Sequence, residues 1–273
     1  MINLNIKYKE LIEKLDDLEL IRPDIAIILG SGLGDFAKSL NIKNSISTST
    51  LSNYPASTIP GHEGKIISCE YSGKNILLFQ GRIHFYEGYK LNECVLPVFI
   101  SKKLGAEKIL LTNAAGGISP NFHPGDLMLT TSFNGISIKK ELLEVMGLPS
   151  AESKNNLIDL PSKEINQIIR KSADKERIKI VEGVYWYTKG PSYETPAEIQ
   201  MIKNFGGDAV GMSTVHEAMF ASFLGLQTGS ISCITNYAAG ISNKKLDHSE
   251  VTETANLVKD KFERLVKRVI NLI

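Results

Sequence analysis

A chain of 273 residues with a net charge of +1 can bury a full-sized core as one large domain. Its 31 Lys and Arg and 30 Asp and Glu are scattered, which excludes the basic stripe of a nucleic-acid binder. The N-terminus is charged, no apolar run nears membrane-spanning length, and Cys69, Cys94 and Cys233 have no metal or disulfide spacing, so a soluble cytoplasmic protein with reduced thiols is expected.

In chain order, Tyr8–Leu18 places Leu11, Ile12, Leu15 and Leu18 at helical spacing, predicting an amphipathic helix. Ile25–Leu29 is an apolar run that reads as a buried strand, followed by Gly30-Ser31-Gly32-Leu33-Gly34. Three readings stay open for that turn. A plain tight turn needs only the glycines. An anion cradle would use crowded backbone N–H groups, the Ser31 hydroxyl and the positive end of the following helix. A dinucleotide fingerprint would need its third glycine where Asp35 stands. Asn44–Pro60, rich in Ser and Thr without period, reads as a surface loop that delivers Gly61-His62-Glu63-Gly64.

Ile76–Phe79 predicts a second buried strand, running into Gln80–Tyr89, QGRIHFYEGY. Arg82, His84 and Tyr86 alternate, so an extended continuation aims all three the same way. Such a donor set suits phosphate or carboxylate. The plainer reading pairs Arg82 with Glu87 and leaves His84 satisfied in the core. A helix over Asn92–Leu104 and a strand over Lys108–Thr112 follow. That strand ends in Asn113-Ala114-Ala115-Gly116-Gly117, small residues that let a ligand lie against the backbone. Asp126–Thr131 reads as a further strand.

Within Phe133–Arg177 only a helix over Ser162–Lys171 is legible, and Asn134–Leu160 has no clear period. Ile178–Tyr187 reads as a strand leading to Gly190-Pro191-Ser192-Tyr193-Glu194. Thr195, Pro196 and Glu198 then form a capping box with proline at the first helical position. This accounts for Glu198 and leaves Glu194 for a ligand. Asp208–Met212 predicts a short strand. Ser213 and Thr214 open the next helix, with Ser213 at its positive end and Glu217 placed to complete a box with Thr214. Gln227–Thr235 predicts a strand ending at Asn236. His248 precedes a last helix, Ser249–Ile270, whose apolar face includes Val251, Ala255, Val258, Phe262 and Val266.

Strand and helix alternate without linker or repeat. Residues 1–273 therefore read as one α/β domain, a mixed, mostly parallel β-sheet flanked by helices on both faces. The suspect side chains stand at strand ends or in the turns after them, where such sheets bind ligands.

Five stretches in order resemble one family: Leu29–Gly34 (LGSGLG), Gly61–Gly64 (GHEG), Gln80–Tyr89, Thr112–Gly117 (TNAAGG), and Gly190–Asn236 with GPSYET, AVGMST and ITN. The chain is similar to the trimeric, inosine/guanosine-preferring purine nucleoside phosphorylases. The resemblance implies phosphate held by Ser31, Arg82, His84, the Ala114 backbone and Ser213, with His62 near phosphate and sugar. It implies ribose met by Tyr86, Met212 and His248, and purine met by Glu194, Asn236, Tyr193, Ala115 and Gly116, with Asn236, Glu194 and His84 catalytic. It also implies a homotrimer, inorganic phosphate as co-substrate, and no metal, other cofactor, nucleic acid or membrane partner. His216 stands where the family usually has proline, and Asn134–Leu160 lacks the run that supplies an aromatic side chain to the neighbouring subunit's ribose pocket. Related methylthioadenosine phosphorylases carry Asp in place of Asn236 and lack the Glu194 equivalent, so that activity is the weaker alternative. A nucleoside-binding member without catalysis, suggested by the divergent 134–160 segment, is another.

Overall fold

The computed structural model describes residues 2–16, 22–58, 63–242 and 248–273, the backbone alone for 248–251. The expectations for Leu18, His62, and the side chains of His248 and Val251 lie outside the described residues.

The helix predicted from Tyr8 is preceded by a further short one, α1 (Leu4–Lys7), and itself forms α2 (Lys9–Asp16), with Tyr8 buried between the two. Next comes β1 (Ile25–Leu29), every residue of which is buried. A strand covered on both faces reads as a continuous apolar run. Ala26 and Ile28 face one core, while Ile25, Ile27 and Leu29 face the other. The segment after Gly30 runs into a 3₁₀ helix, Gly34–Ser39, rather than an α-helix. Asp35 ties it to the C-terminal helix through Lys259 Nζ at 2.8 Å.

The expected loop at Asn44–Pro60 is corrected at its start, where β2 (Asn41–Ser47) is an edge strand paired antiparallel with β3 (Lys65–Tyr71). An exposed edge has no apolar face to declare itself, and Ser and Thr there look like loop. A tight turn with Ser72 at φ 51° and Gly73 at φ 76° leads to β4 (Lys74–Gln80). The helix expected over Asn92–Leu104 is interrupted at Val95 into α3 (Leu91–Cys94) and α4 (Leu96–Lys103). Pro97 lacks the N–H that would have bonded back to Glu93.

The strand expected to stop at Thr112 continues as β5 (Lys108–Gly117), followed by β6 (Leu127–Asn134). Residues 134–160, without readable period, fold into a 3₁₀ turn, α5 (Lys139–Met146) and α6 (Ala151–Ile158). Ile136, Leu143, Leu148 and Ile158 of this segment are exposed. The remaining expected elements are present with shifted ends: α7 (Lys163–Glu176), β7 (Ile180–Tyr187), α8 (Pro196–Asn204), β8 (Ala209–Gly211), α9 (Val215–Phe223), β9 (Gln227–Tyr237), which takes in Asn236, and α10 (His248–Leu272), whose first residue is the His248 expected just before it.

The strands form one sheet. β2, β3, β4, β1 and β5 lie side by side, and β5 also pairs with both β8 and β9, so that β5, β9, β6, β7 and β8 close into a ring. Parallel pairings (β1–β4, β1–β5, β5–β9, β6–β7, β7–β8) outnumber antiparallel ones. α3, α4, α5 and α9 pack on one face, α7 and α10 on the other. No described helix is long and apolar enough to cross a membrane.

Candidate active site

A cavity of roughly 320 Å³ opens where β1, β4, β5, β8 and β9 end. It collects the residues with described side chains to which the resemblance gives a ligand: Ser31, Arg82, His84 and Tyr86 from the first half of the sheet, Ala114, Ala115 and Gly116 from β5, and Tyr193, Glu194, Met212, Ser213 and Asn236 from the second half. Residues 205 positions apart in sequence, such as Ser31 and Asn236, thus line one cavity.

Ser31 is placed by close strand contact. A Cβ on Gly30 would lie 2.6 Å from both Asn113 Cα and Thr112 O, so only glycine lets β1 end against β5. The Gly30 N–H donates to Thr112 Oγ1 at 3.2 Å, and that hydroxyl donates to Ile28 O at 3.1 Å.

Arg82 is buried. Its Nε donates to both Glu217 oxygens at 3.0 Å, Nη2 lies 2.9 Å from Oε2, and Nη1 donates to Thr112 O at 2.9 Å. The two side chains are 1% and 0% exposed. A buried guanidinium demands such a partner. This corrects two expectations. Arg82 does not pair with Glu87, and Glu217 does not cap α9, for Thr214 makes no side-chain capping bond. Glu217 is a residue that spacing missed. A carboxylate within the mostly apolar VHEAMFASF was the available signal. His216 beside it is also wholly buried, its imidazole kept neutral because burial takes its pKa down to about 4.

His84 has the partner offered to Arg82. Glu87 Oε1 accepts from His84 N–H at 2.9 Å and lies 3.0 Å from Nδ1. Its other oxygen accepts from Thr58 N–H at 2.7 Å and from the Thr58 hydroxyl at 2.8 Å. Burial alone would raise the Glu87 pKa, but these donors outweigh it and take it down to about 2. An ionised Glu87 only accepts, which assigns a hydrogen to His84 Nδ1. The extended path expected from Arg82 to Tyr86 ends at His84, and Phe85–Glu87 is a 3₁₀ turn. The turn still brings Tyr86 to the cavity, stacked on His84 with ring centroids 4.7 Å apart. Burial, then Glu87, pushes the Tyr86 phenol up to about 12, so it stays a donor.

At the other end the capping box is as expected: Thr195 and Glu198 bond reciprocally, with Pro196 opening α8. Glu194 is left facing the cavity and accepts from the Thr188 hydroxyl. Asn236 is held by both neighbours. Its Oδ1 accepts from Thr235 Oγ1 at 2.8 Å, and its Nδ2 donates to Tyr237 O at 2.9 Å. Tyr193 is 46% exposed at the mouth. Among the described residues, no group of three or more His, Cys, Asp or Glu could hold a metal ion.

Hydrogen-bond donors and a carboxylate–amide pair lining one cavity match what comparison with known proteins returns. The model of the Phosphorylase superfamily matches residues 24–271. Purine nucleoside phosphorylase 1 of Geobacillus stearothermophilus is 40% identical over 91% of this chain and 90% of its own. The Bos taurus purine nucleoside phosphorylase is 36% identical over 90% and 87%. The structure of Schistosoma mansoni purine nucleoside phosphorylase in complex with adenosine covers 97% of this chain and 96% of that one, with a TM-score of 0.85 and 30% identity. The complex of that enzyme with inosine gives 0.84 at 29% identity, covering 97% and 95%. The chain is therefore an enzyme of the phosphorylase superfamily and belongs with its purine nucleoside phosphorylases.

Proposed function

We propose that this enzyme acts on inosine, guanosine and their deoxy forms, releasing the 6-oxopurine and (deoxy)ribose 1-phosphate. One observation carries the reading: donors for an oxyanion and a carboxylate–amide pair for a base line a single cavity. Phosphate is assigned to Ser31, Arg82, His84, Ser213 and the Ala114 backbone. Ribose is assigned to Tyr86 and Met212, and the purine to Glu194, Asn236, Tyr193, Ala115 and Gly116. The roles given to His62 and His248 rest on the resemblance alone.

In the proposed reaction a phosphate oxygen bonds to C1′ as the C1′–N9 bond breaks. The bonding pair leaves on the purine, which takes up a proton. The ribose passes through an oxocarbenium-like state, so the adjacent phosphate is both nucleophile and counter-charge. Negative charge growing on the base is met by the Asn236 amide at N7 or O6, and one such donor is worth ~3 kcal/mol. An ionised Glu194 accepts the N1–H of a 6-oxopurine, whereas adenine presents a lone pair there. The Schistosoma mansoni enzyme is found in complex with adenosine as well as inosine, which makes the preference a ratio of kcat/KM to be measured and not an exclusion. Asn236 and Glu194 argue against the methylthioadenosine reading.

Inorganic phosphate is the proposed co-substrate, with no other cofactor. The proposed assembly is a cytoplasmic homotrimer of chains each folded as one domain. The exposed Ile136, Leu143, Leu148 and Ile158 support self-association. Light scattering is expected to give three times the chain mass of 30.1 kDa. The deciding assay is hypoxanthine release from inosine with and without phosphate. Phosphate-dependent release with a sugar phosphate as co-product is expected, and equal turnover without phosphate refutes phosphorolysis by this chain.

A further inference from the structure

The turn that carries Ser213 is strained. Thr214 has φ 71° and ψ −48°, and the Val215 N–H donates across it to Ser213 O at 2.7 Å. This is a γ-turn of the hand that L residues rarely adopt, least of all one with a branched Cβ. Thr214 is wholly buried. Such strain persists only where the surroundings fix it, and it clusters at ligand-gripping segments.

Beneath this turn lies Tyr185. Its side chain is fully buried and packs edge-on against Phe133, ring centroids 6.3 Å apart. Its hydroxyl presses on the segment leading to Ser213, since a Cβ on Gly211 would come within 2.2 Å of that oxygen. The hydroxyl makes no hydrogen bond of standard geometry, and the polar groups nearest it on that segment are the side chain and the backbone of Ser213. Burial pushes the phenol up to about 12, so it keeps its proton at neutral pH. Ser213 Oγ in turn lies 3.1 Å from Thr214 Oγ1. A buried phenol donor beside a serine hydroxyl whose other contact is the Thr214 hydroxyl needs an account.

We propose that Tyr185 is a positioning residue for the phosphate co-substrate: its hydroxyl donates to Ser213 Oγ and so turns the Ser213 proton toward a phosphate oxygen. The γ-turn holds Ser213 over the phenol, and the hydrogen bond sets the hydroxyl's direction. This rests on the assignment of Ser213 to phosphate, and the experiment separates the two.

Tyr185→Phe removes one oxygen and keeps the ring packing. Together with Ser213→Ala and the double variant it is assayed for KM of phosphate at saturating inosine, KM of inosine at saturating phosphate, and melting temperature. Ser213→Ala is expected to raise KM for phosphate about tenfold and Tyr185→Phe about fivefold, with KM for inosine unmoved in both. The double variant is expected to match Ser213→Ala, because without the serine the phenol has nothing to orient. If Ser213→Ala raises KM for phosphate while Tyr185→Phe changes only the melting temperature, the inference is overturned and the Ser213 assignment stands. An unchanged KM for phosphate in Ser213→Ala overturns the assignment itself. Additive losses in the double variant overturn the route through Ser213.

Discussion

At one end of the cavity Arg82, His84 and Ser213 are all buried, and the Arg82 charge already has Glu217 and Thr112 O as partners. At the other end Tyr193 is exposed, Glu194 and Asn236 are only partly covered, and short-range neighbours hold them: Thr188, Thr235 and Tyr237. The difference follows from solvation. A charge inside the protein must be compensated before any ligand arrives, whereas a half-wet carboxylate can wait for the ligand to exclude its water. Damage at the first end should therefore reach the fold as well as the chemistry. Damage at the second should stay in the chemistry.

Glu217→Ala tests the first half of that statement and carries the largest expected effect. It strands a buried guanidinium, and loss of one partner of a buried pair costs about 3–5 kcal/mol. Urea unfolding should show that loss, and a stability near wild type would mean that Arg82 finds water or another partner. Glu194→Ala tests the second half. On the proposed assignment it lowers kcat/KM for inosine by about 10²–10³ and leaves the melting temperature in place. The neighbouring Glu198→Ala should do the reverse, since that carboxylate bonds the Thr195 N–H at 2.7 Å at the start of α8. An exchange of these two patterns would mean that cap and ligand group have been confused.

Asn236→Asp sharpens the base end with a smaller effect. An aspartate in place of the amide removes a donor and adds an acceptor at the proposed N7/O6 contact, where adenosine offers its amino group. The ratio of kcat/KM for inosine over adenosine is expected to fall by about tenfold or more. An unchanged ratio removes Asn236 from base recognition.

The sequence made one end of this contrast far more legible than the other. Glu194 could be separated from Glu198 because a capping box is local, four residues long and marked by Pro196. The central strands were readable because burial on both faces leaves uninterrupted apolar runs such as Ile25–Leu29. Glu217 was misread as a cap, since its partner Arg82 lies 135 residues away and no spacing rule reaches that far. Edge strand β2 escaped for want of a buried face, and α5 and α6 because much of their apolar surface is left outside the core. His84 and Glu87 lie within one turn, yet whether Arg82 or His84 would claim that carboxylate depended on Glu217.

The smallest expected effect tests whether the His84–Glu87 turn belongs with the buried end. Glu87 gathers four donors, two from His84 and two from Thr58. Burial opposes its ionisation, the donors win, and its pKa falls from the usual 4.5 to about 2. A carboxylate depressed on folding stabilises the native state fully above its unfolded value, and that stability is lost as pH drops through the folded one. The contribution should therefore be complete at pH 6 and fade between about 4.5 and 2, on the order of 1–2 kcal/mol once solvent screening is allowed for. Glu87→Gln keeps the shape and removes the titration. The stability gap between wild type and variant, measured by urea unfolding, should be widest near neutral pH and close on acidification. A gap that stays constant to pH 3 would mean that the four hydrogen bonds act through geometry alone, and that the turn does not share the charge compensation of the buried Arg82.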